Sequence, residues 1–222
     1  MQYLLSLKII PVLLVLAFSQ MGFGQSITID KSSVGLIAWD DENYVGTGFV
    51  LNNKRQVVTC AHVIDTSHVI YYTPIRSTPN VLEKHRLKLV KLLPEYDLAL
   101  LESEDDLCNN PLINSVDFNF RPNQHLFYLG YNVKTSNVNH KNIQANNAIV
   151  SSIGKTFDKE IAIDFIEFVG VGLPGYSGGP VINDDGKVIG IMREAWLKQG
   201  IKGGEVQLIN RAFSIFPIVN SK

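Results

Sequence analysis

Gly175-Tyr176-Ser177-Gly178-Gly179-Pro180 is the stretch on which the reading of this chain turns. A serine flanked by glycines can be carried on a sharp turn whose backbone N–H groups face one point in space. The same residues satisfy a G-x-S-x-G pattern, in which a strand-to-helix turn presents the serine and an acid and then a histidine must follow it. All five histidines, His62, His68, His85, His125 and His140, precede Ser177, so that order is excluded. A general base for Ser177 has to come earlier in the chain.

His62 is the best candidate, because it ends the apolar run Val57-Val58-Thr59-Cys60-Ala61-His62-Val63. A lone histidine at a strand end is usually structural; its pairing with the downstream serine turn is what raises it above the other four, which lie beside lysines, in loops or in ordinary strands. The third group needed is a carboxylate that holds the imidazole tautomer in an apolar setting. Asp97 fits, opening Asp97-Leu98-Ala99-Leu100-Leu101, whereas Asp105, Asp106, Asp117 and Asp158 lie in polar stretches where their charge is screened. Asp164, between Ile163 and Phe165, is the second choice, and Asp65 is too near His62 in sequence.

Outward from these residues the chain reads as all-β. Short apolar or alternating runs are bounded by Gly, Asn, Asp and Pro, and no long 3.6-residue period appears. Strands are predicted at 34–40, 44–52, 56–63, 68–74, 86–94, 97–103, 125–131, 147–154, 160–170, 179–183, 187–193 and 205–215. Asp40-Asp41-Glu42-Asn43 and Asn183-Asp184-Asp185-Gly186 read as hairpin turns, the second lacking the spaced oxygen ligands that calcium needs. Residues 104–123, with Asn109, Asn110, Pro111 and Pro122, read as the linker between two groups of strands, about 30–105 and 124–222.

The 222 residues are 45% hydrophobic, enough for one compact unit, and 20 basic residues against 21 acidic ones give no electrostatic reason to expect nucleic acid or an anionic membrane as partner. Lys8, the apolar run Ile9 to Phe18 and the small residues of Gly22-Phe23-Gly24 read as a signal peptide over residues 1–24. The run is too short, and broken by Pro11, for a permanent anchor, so residues 25–222 are expected as an exported domain with no stable membrane insertion, periplasmic or secreted. Cys60 and Cys108 are too few for a disulfide scaffold and stand at no metal-ligand spacing; a buried free thiol is expected at Cys60, with a bridge to Cys108 as the alternative that export permits, and no metal or cofactor is expected.

Thr47-Gly48-Phe49-Val50, Thr59-Cys60-Ala61-His62-Val63, Tyr96-Asp97-Leu98-Ala99-Leu100-Leu101 and Gly175-Tyr176-Ser177-Gly178-Gly179-Pro180 occur in the order of the four landmarks of trypsin-like serine peptidases. The chain resembles that family over nearly all of residues 25–222, and its compact spacing is similar to the protease domain of HtrA-type bacterial proteins. The resemblance implies two six-stranded antiparallel β-barrels meeting at a cleft, His62 and Asp97 from the first and Ser177 from the second. It implies a polypeptide substrate cut through an acyl-enzyme, with His62 as general base and the N–H groups of Gly175 and Ser177 as oxyanion hole. It also places Val171 at the floor of the S1 pocket and Ile191, Met192 and Arg193 along its wall, unless Val171 is only a core residue. An apolar floor favours small or medium apolar P1 residues.

Three departures qualify the resemblance. Tyr176 stands where zymogen-activated members have Asp, so no salt bridge to a new N-terminus can order the loop. Cys60 lies two residues before His62, so the familiar nearby disulfide is not expected. The 45 residues after Ser177 leave no room for a PDZ module. A non-catalytic binding or sensing domain on the same fold, kept open by Tyr176, and an esterase are the rival readings.

Overall fold

The computed structural model describes residues 30–40, 43–74, 83–133, 143–158, 160–199 and 206–220. The expected signal segment and the tip of the first expected hairpin lie outside the described residues. Among those described, no helix is long and apolar enough to cross a membrane.

Two closed six-stranded barrels account for the architecture. The first contains β1 (Val34–Trp39), β2 (Asn43–Val50), β3 (Gln56–Cys60), β4 (Ile70–Pro74), β5 (His85–Leu93) and β6 (Leu98–Ser103), in the order β1-β2-β3-β6-β5-β4. The second contains β7 (His125–Tyr131), β8 (Ile143–Asp158), β9 (Ile161–Val169), β10 (Pro180–Ile182), β11 (Val188–Gln199) and β12 (Val206–Ser214), in the order β10-β11-β12-β9-β8-β7. All twelve neighbour pairings are antiparallel, so each barrel closes without an open edge.

The apolar runs fill these barrels. Ile37, Phe49, Val57, Tyr72, Leu98 and Leu101 are buried in the first, and Tyr128, Val150, Phe168 and Ala212 in the second. The first cluster continues through Leu129, Ile182, Ile191 and Phe213 of the second barrel, so the barrels share one apolar contact. Ile218, on the short helix α1 (Phe216–Val219), packs onto the same cluster.

Four segments differ from the sequence expectation. β3 stops at Cys60, and Ala61–Val63 form one 3₁₀ turn, which lifts His62 out of the ladder. β8 and β11 run longer than predicted because Thr156↔Ile163 and Leu197↔Leu208 continue their hairpins by main-chain pairing, where alternation of side chains gives no signal. The expected linker is pinned: Leu107, Leu112 and Phe120 are buried, and bridges join Leu51 to Leu112 and Asn114 to Val188.

Candidate active site

The pairing of β3 with β6 brings His62 to Asp97. Cys60 sits opposite Leu98, so the residues just beyond that pair face one another and the Ala61 N–H donates to the Asp97 carbonyl at 3.0 Å. Asp97 caps the turn Pro94–Tyr96 with φ 55° and ψ 42°, a left-handed conformation that aspartate tolerates better than most residues. Its carboxylate then grips His62 twice, accepting the backbone N–H at Oδ1 (2.9 Å) and meeting ring Nδ1 at Oδ2 (2.8 Å). The Asp97 side chain is 10% exposed and that of His62 is 49% exposed, so a buried carboxylate orients a ring that faces the cleft.

Ser177 is delivered from the second barrel by contacts between main chains. The Thr47 N–H of β2 donates to the Ser177 carbonyl at 2.9 Å, and the Gly178 N–H donates to the Met192 carbonyl at 2.9 Å. That same carbonyl accepts the Cys60 thiol, with Sγ at 3.3 Å, two residues before His62. Gly175 has φ +99°, and a Cβ there would press on the Tyr131 carbonyl and lie 2.6 Å from Val133 Cγ1. Among the described residues no hydrogen bond joins Ser177 Oγ to His62.

Every carbonyl of this loop accepts a hydrogen bond. Val133 N–H holds Pro174 C=O at 3.1 Å, Gly179 N–H holds Tyr176 C=O at 2.9 Å, and the Tyr176 N–H donates to Leu173 C=O at 3.0 Å. The Thr47 hydroxyl donates to Gly175 C=O at 2.6 Å. The N–H groups of Gly175 and Ser177 make no hydrogen bond to a described residue. Two unengaged donors on one turn are free to bond a ligand oxygen.

Tyr176 orders the loop by burial. Its ring is 2% exposed and packs 6.4 Å from the Tyr128 ring, with its hydroxyl donating to Gln144 Oε1 at 2.7 Å. Gly130 makes the room, since a Cβ there would lie 2.5 Å from the ring. An apolar plug stands where a zymogen-type salt bridge was ruled out from the sequence.

Beside Ser177 lies a cavity of about 30 Å³ lined by Gly172, Leu173, Tyr176, Met192, Arg193, Glu194 and Ala195. Met192 and Arg193 are among the lining residues. Val171 and Ile191 are not: Val171 gives its N–H to the Tyr128 hydroxyl at 2.8 Å and leaves its side chain 43% exposed, while Ile191 points into the shared core. Asn210, paired across from Ala195 on β12, lies fully buried under Gly172, where a Cβ would overlap its Oδ1. Neither end of its amide has a hydrogen-bond partner among the described residues.

Arg193 has a second contact that its sequence position did not suggest. Its Nε lies 3.1 Å from Asp97 Oδ2, and its guanidinium stacks 4.5 Å over the Phe213 ring. It supplies the counter-charge that a buried carboxylate needs. Asp164 instead pairs with Lys155 at 3.2 Å on the β8–β9 hairpin, away from His62. His68 stacks on Trp39 and meets Asp40, His85 is buried 3.6 Å from Asp105, His125 starts β7, and His140 lies outside the described residues. Cys60 and Cys108 are both free and buried. Cys60, His62 and Asp97 offer ligand atoms within 4.8 Å of one another. Burial, and then the charge of Asp97, push the Cys60 thiol well above its usual range, and Arg193 opposes a cation there.

The family model of the trypsin-like peptidase domain matches residues 46–191, a span that begins at the strand carrying Thr47 and ends beyond Ser177. The chain belongs to the trypsin-like peptidase family. The "Probable periplasmic serine endoprotease DegP-like" of Marinomonas sp. (strain MWYL1) is 30% identical over 191 residues, covering 82% of this chain and 35% of that protein. Its namesake from Halomonas elongata is 25% identical over 162 residues, covering 72% of this chain and 31% of that protein. The chain thus spans about a third of the length of these relatives. Among solved structures, the Rv3671c protease from M. tuberculosis in its active form superposes with TM-score 0.65 at 21% identity, over 86% of this chain and 79% of that one. Deg5 does so with TM-score 0.65 at 22% identity, over 86% and 87%. At such identities these two establish the trypsin-like fold.

Proposed function

We propose that this chain is a serine endopeptidase that hydrolyses peptide bonds through an acyl-enzyme on Ser177. His62 takes the Ser177 proton at Nε2 as the hydroxyl attacks the scissile carbonyl, and returns it to the leaving amine. Asp97 holds the ring through Nδ1, which leaves Nε2 as the nitrogen available to the serine. The Gly175 and Ser177 N–H groups receive the charge that develops on the carbonyl oxygen. Water then attacks the ester, with His62 again as base, and frees Ser177.

The observation that carries this reading is the two-point grip of Asp97 on His62, at 2.9 Å and 2.8 Å, in the same cleft as a loop with two unengaged donors. A binding domain needs neither feature. The small cavity beside Ser177 suits a small P1 side chain, and the periplasmic relatives together with the expected signal segment support action on polypeptides after export.

Digestion of fluorescein-labelled casein by the purified protein tests the activity, with Ser177→Ala as control. Turnover by the wild type that the variant lacks is the expected outcome. Equal turnover by both would remove Ser177 from the mechanism.

The rival reading, a binding domain on this fold, draws on Arg193, whose guanidinium shares Asp97 Oδ2 with His62. A wild type that binds casein without cutting it would favour that reading.

A further inference from the structure

Between the two proposed oxyanion donors lies one peptide unit, Gly175–Tyr176. Its orientation is set by ψ of Gly175 and φ of Tyr176, two of the torsions that fix the angle between the flanking N–H groups. Its N–H end is held by the Leu173 carbonyl at 3.0 Å, a contact within the loop itself. Its C=O end is held from the other barrel, by Thr47 Oγ1 at 2.6 Å.

Thr47 is placed for this by the strand it occupies. On β2, Gly46 and Gly48 face the first barrel, where a Cβ would come 2.9 Å from Val63 and 2.8 Å from Ile37. Residue 47 faces the opposite way, toward the second barrel. Its hydroxyl is fully buried and bonded on both sides, donating to Gly175 C=O and accepting the Tyr131 N–H at 3.1 Å. Its own N–H holds the Ser177 carbonyl at 2.9 Å. A single residue of the first barrel therefore grips the second barrel's loop at both ends of Gly175-Tyr176-Ser177.

We infer that Thr47 is the positioning residue of the oxyanion loop: its hydroxyl sets the orientation of the Gly175–Tyr176 peptide and so the aim of the two N–H groups on either side. This rests on the peptidase reading above. The hydroxyl is buried, so removing it takes away the partner of Gly175 C=O and of Tyr131 N–H and frees the peptide to turn. The consequence falls on charge stabilisation in the transition state, and hence on kcat, because the loop's donors are aimed at charge that the ground state lacks.

The test compares Thr47→Ser with Thr47→Ala, two variants that both lack the γ-methyl and differ by the hydroxyl alone. Steady-state kcat and KM on fluorescein-labelled casein are read alongside thermal melting. Thr47→Ser is expected to keep kcat within about threefold of wild type. Thr47→Ala is expected to lose on the order of 10² in kcat, the scale of one misaimed donor, with KM within about twofold. A variant that merely loosened the fold would melt lower without this split, and serine would not rescue it.

If Thr47→Ala fails to fold, the isosteric Thr47→Val replaces it in the contrast with serine. Equal kcat in the serine and hydroxyl-free variants, or a rise in KM with kcat unchanged, overturns the inference. It fails alone in that case, because the wild type still turns over. A wild type with no turnover removes the peptidase reading and this inference with it.

Discussion

The two irregular segments that lead into Ser177 in the second barrel are built on opposite plans. In Gly175-Tyr176-Ser177 every carbonyl has a donor, two of them supplied by Thr47 of the other barrel, and the one large side chain is plugged into the core. In Gly170-Val171-Gly172-Leu173 the side chain of Val171 faces solvent and the segment lies over Asn210, a buried amide with no described partner. The difference divides labour: the segment that the peptidase reading sets against developing charge is held from both barrels, and the segment beside the cavity is held within the second barrel, by Gly170 N–H on the Leu208 carbonyl at 3.2 Å and Val171 N–H on the Tyr128 hydroxyl at 2.8 Å. Rate should depend on the first and selectivity on the second.

The largest effects belong to the groups that the loop serves. Ser177→Ala and His62→Ala should each lower kcat by on the order of 10⁶, since such groups act as a unit. Casein turnover by His62→Ala at a tenth of the wild-type rate would reassign the base. Asp97→Asn should cost on the order of 10⁴ by permitting the wrong tautomer. If Asp164→Asn matched that loss and Asp97→Asn did not, the surface pair with Lys155 would have been misread.

Next come the two glycines that set the comparison. Gly175→Val should lower kcat by roughly 10² to 10³, because a side chain at φ +99° presses on Tyr131 and Val133 and turns a donor aside. Gly172→Ala, which forces Asn210 and Ala195 to shift, should change the P1 profile of a peptide library while kcat on the best peptide stays within about threefold. Reversed outcomes would dissolve the proposed division between rate and selectivity.

The smallest effect is on stability. Asn210→Leu removes an unpaired buried amide and should raise stability by about 1 kcal/mol, which for a chain of this size is a rise of roughly 2–4 °C in melting temperature. A lower melting temperature would mean that the amide has partners the described residues do not reveal.

Much of this site could be read before any coordinates. Twelve apolar or alternating runs became twelve strands, continuous where nearly every residue is buried, as in β1 and β3, and alternating where one face is solvated, as at the start of β5. Ser177, His62 and Asp97 were legible because each sits at a break between an apolar run and a turn. What remained hidden was cross-barrel. Nothing local in Gly46-Thr47-Gly48 says that the threonine meets Gly175, 128 residues away, nor that Arg193 reaches back to Asp97. Gly130 carried a faint signal, an isolated glycine within the strand Leu129-Gly130-Tyr131, and its reason is the Tyr176 ring. Val171, expected at a pocket floor, does not line the cavity beside Ser177: spacing from the serine fixes a position along the chain, while the hydrogen bond to Tyr128 holds its backbone elsewhere.

The central claim is that His62, Asp97 and Ser177 work together as one acyl-transfer site. Intact-mass analysis after incubation with a fluorophosphonate tests it most directly, since the probe bonds only to a serine whose proton is taken and whose oxyanion is held. The account predicts a single adduct that maps to Ser177, absent in Ser177→Ala and greatly slowed in His62→Ala. No adduct at any pH from about 6 to about 9, or an adduct that persists in Ser177→Ala, would contradict it.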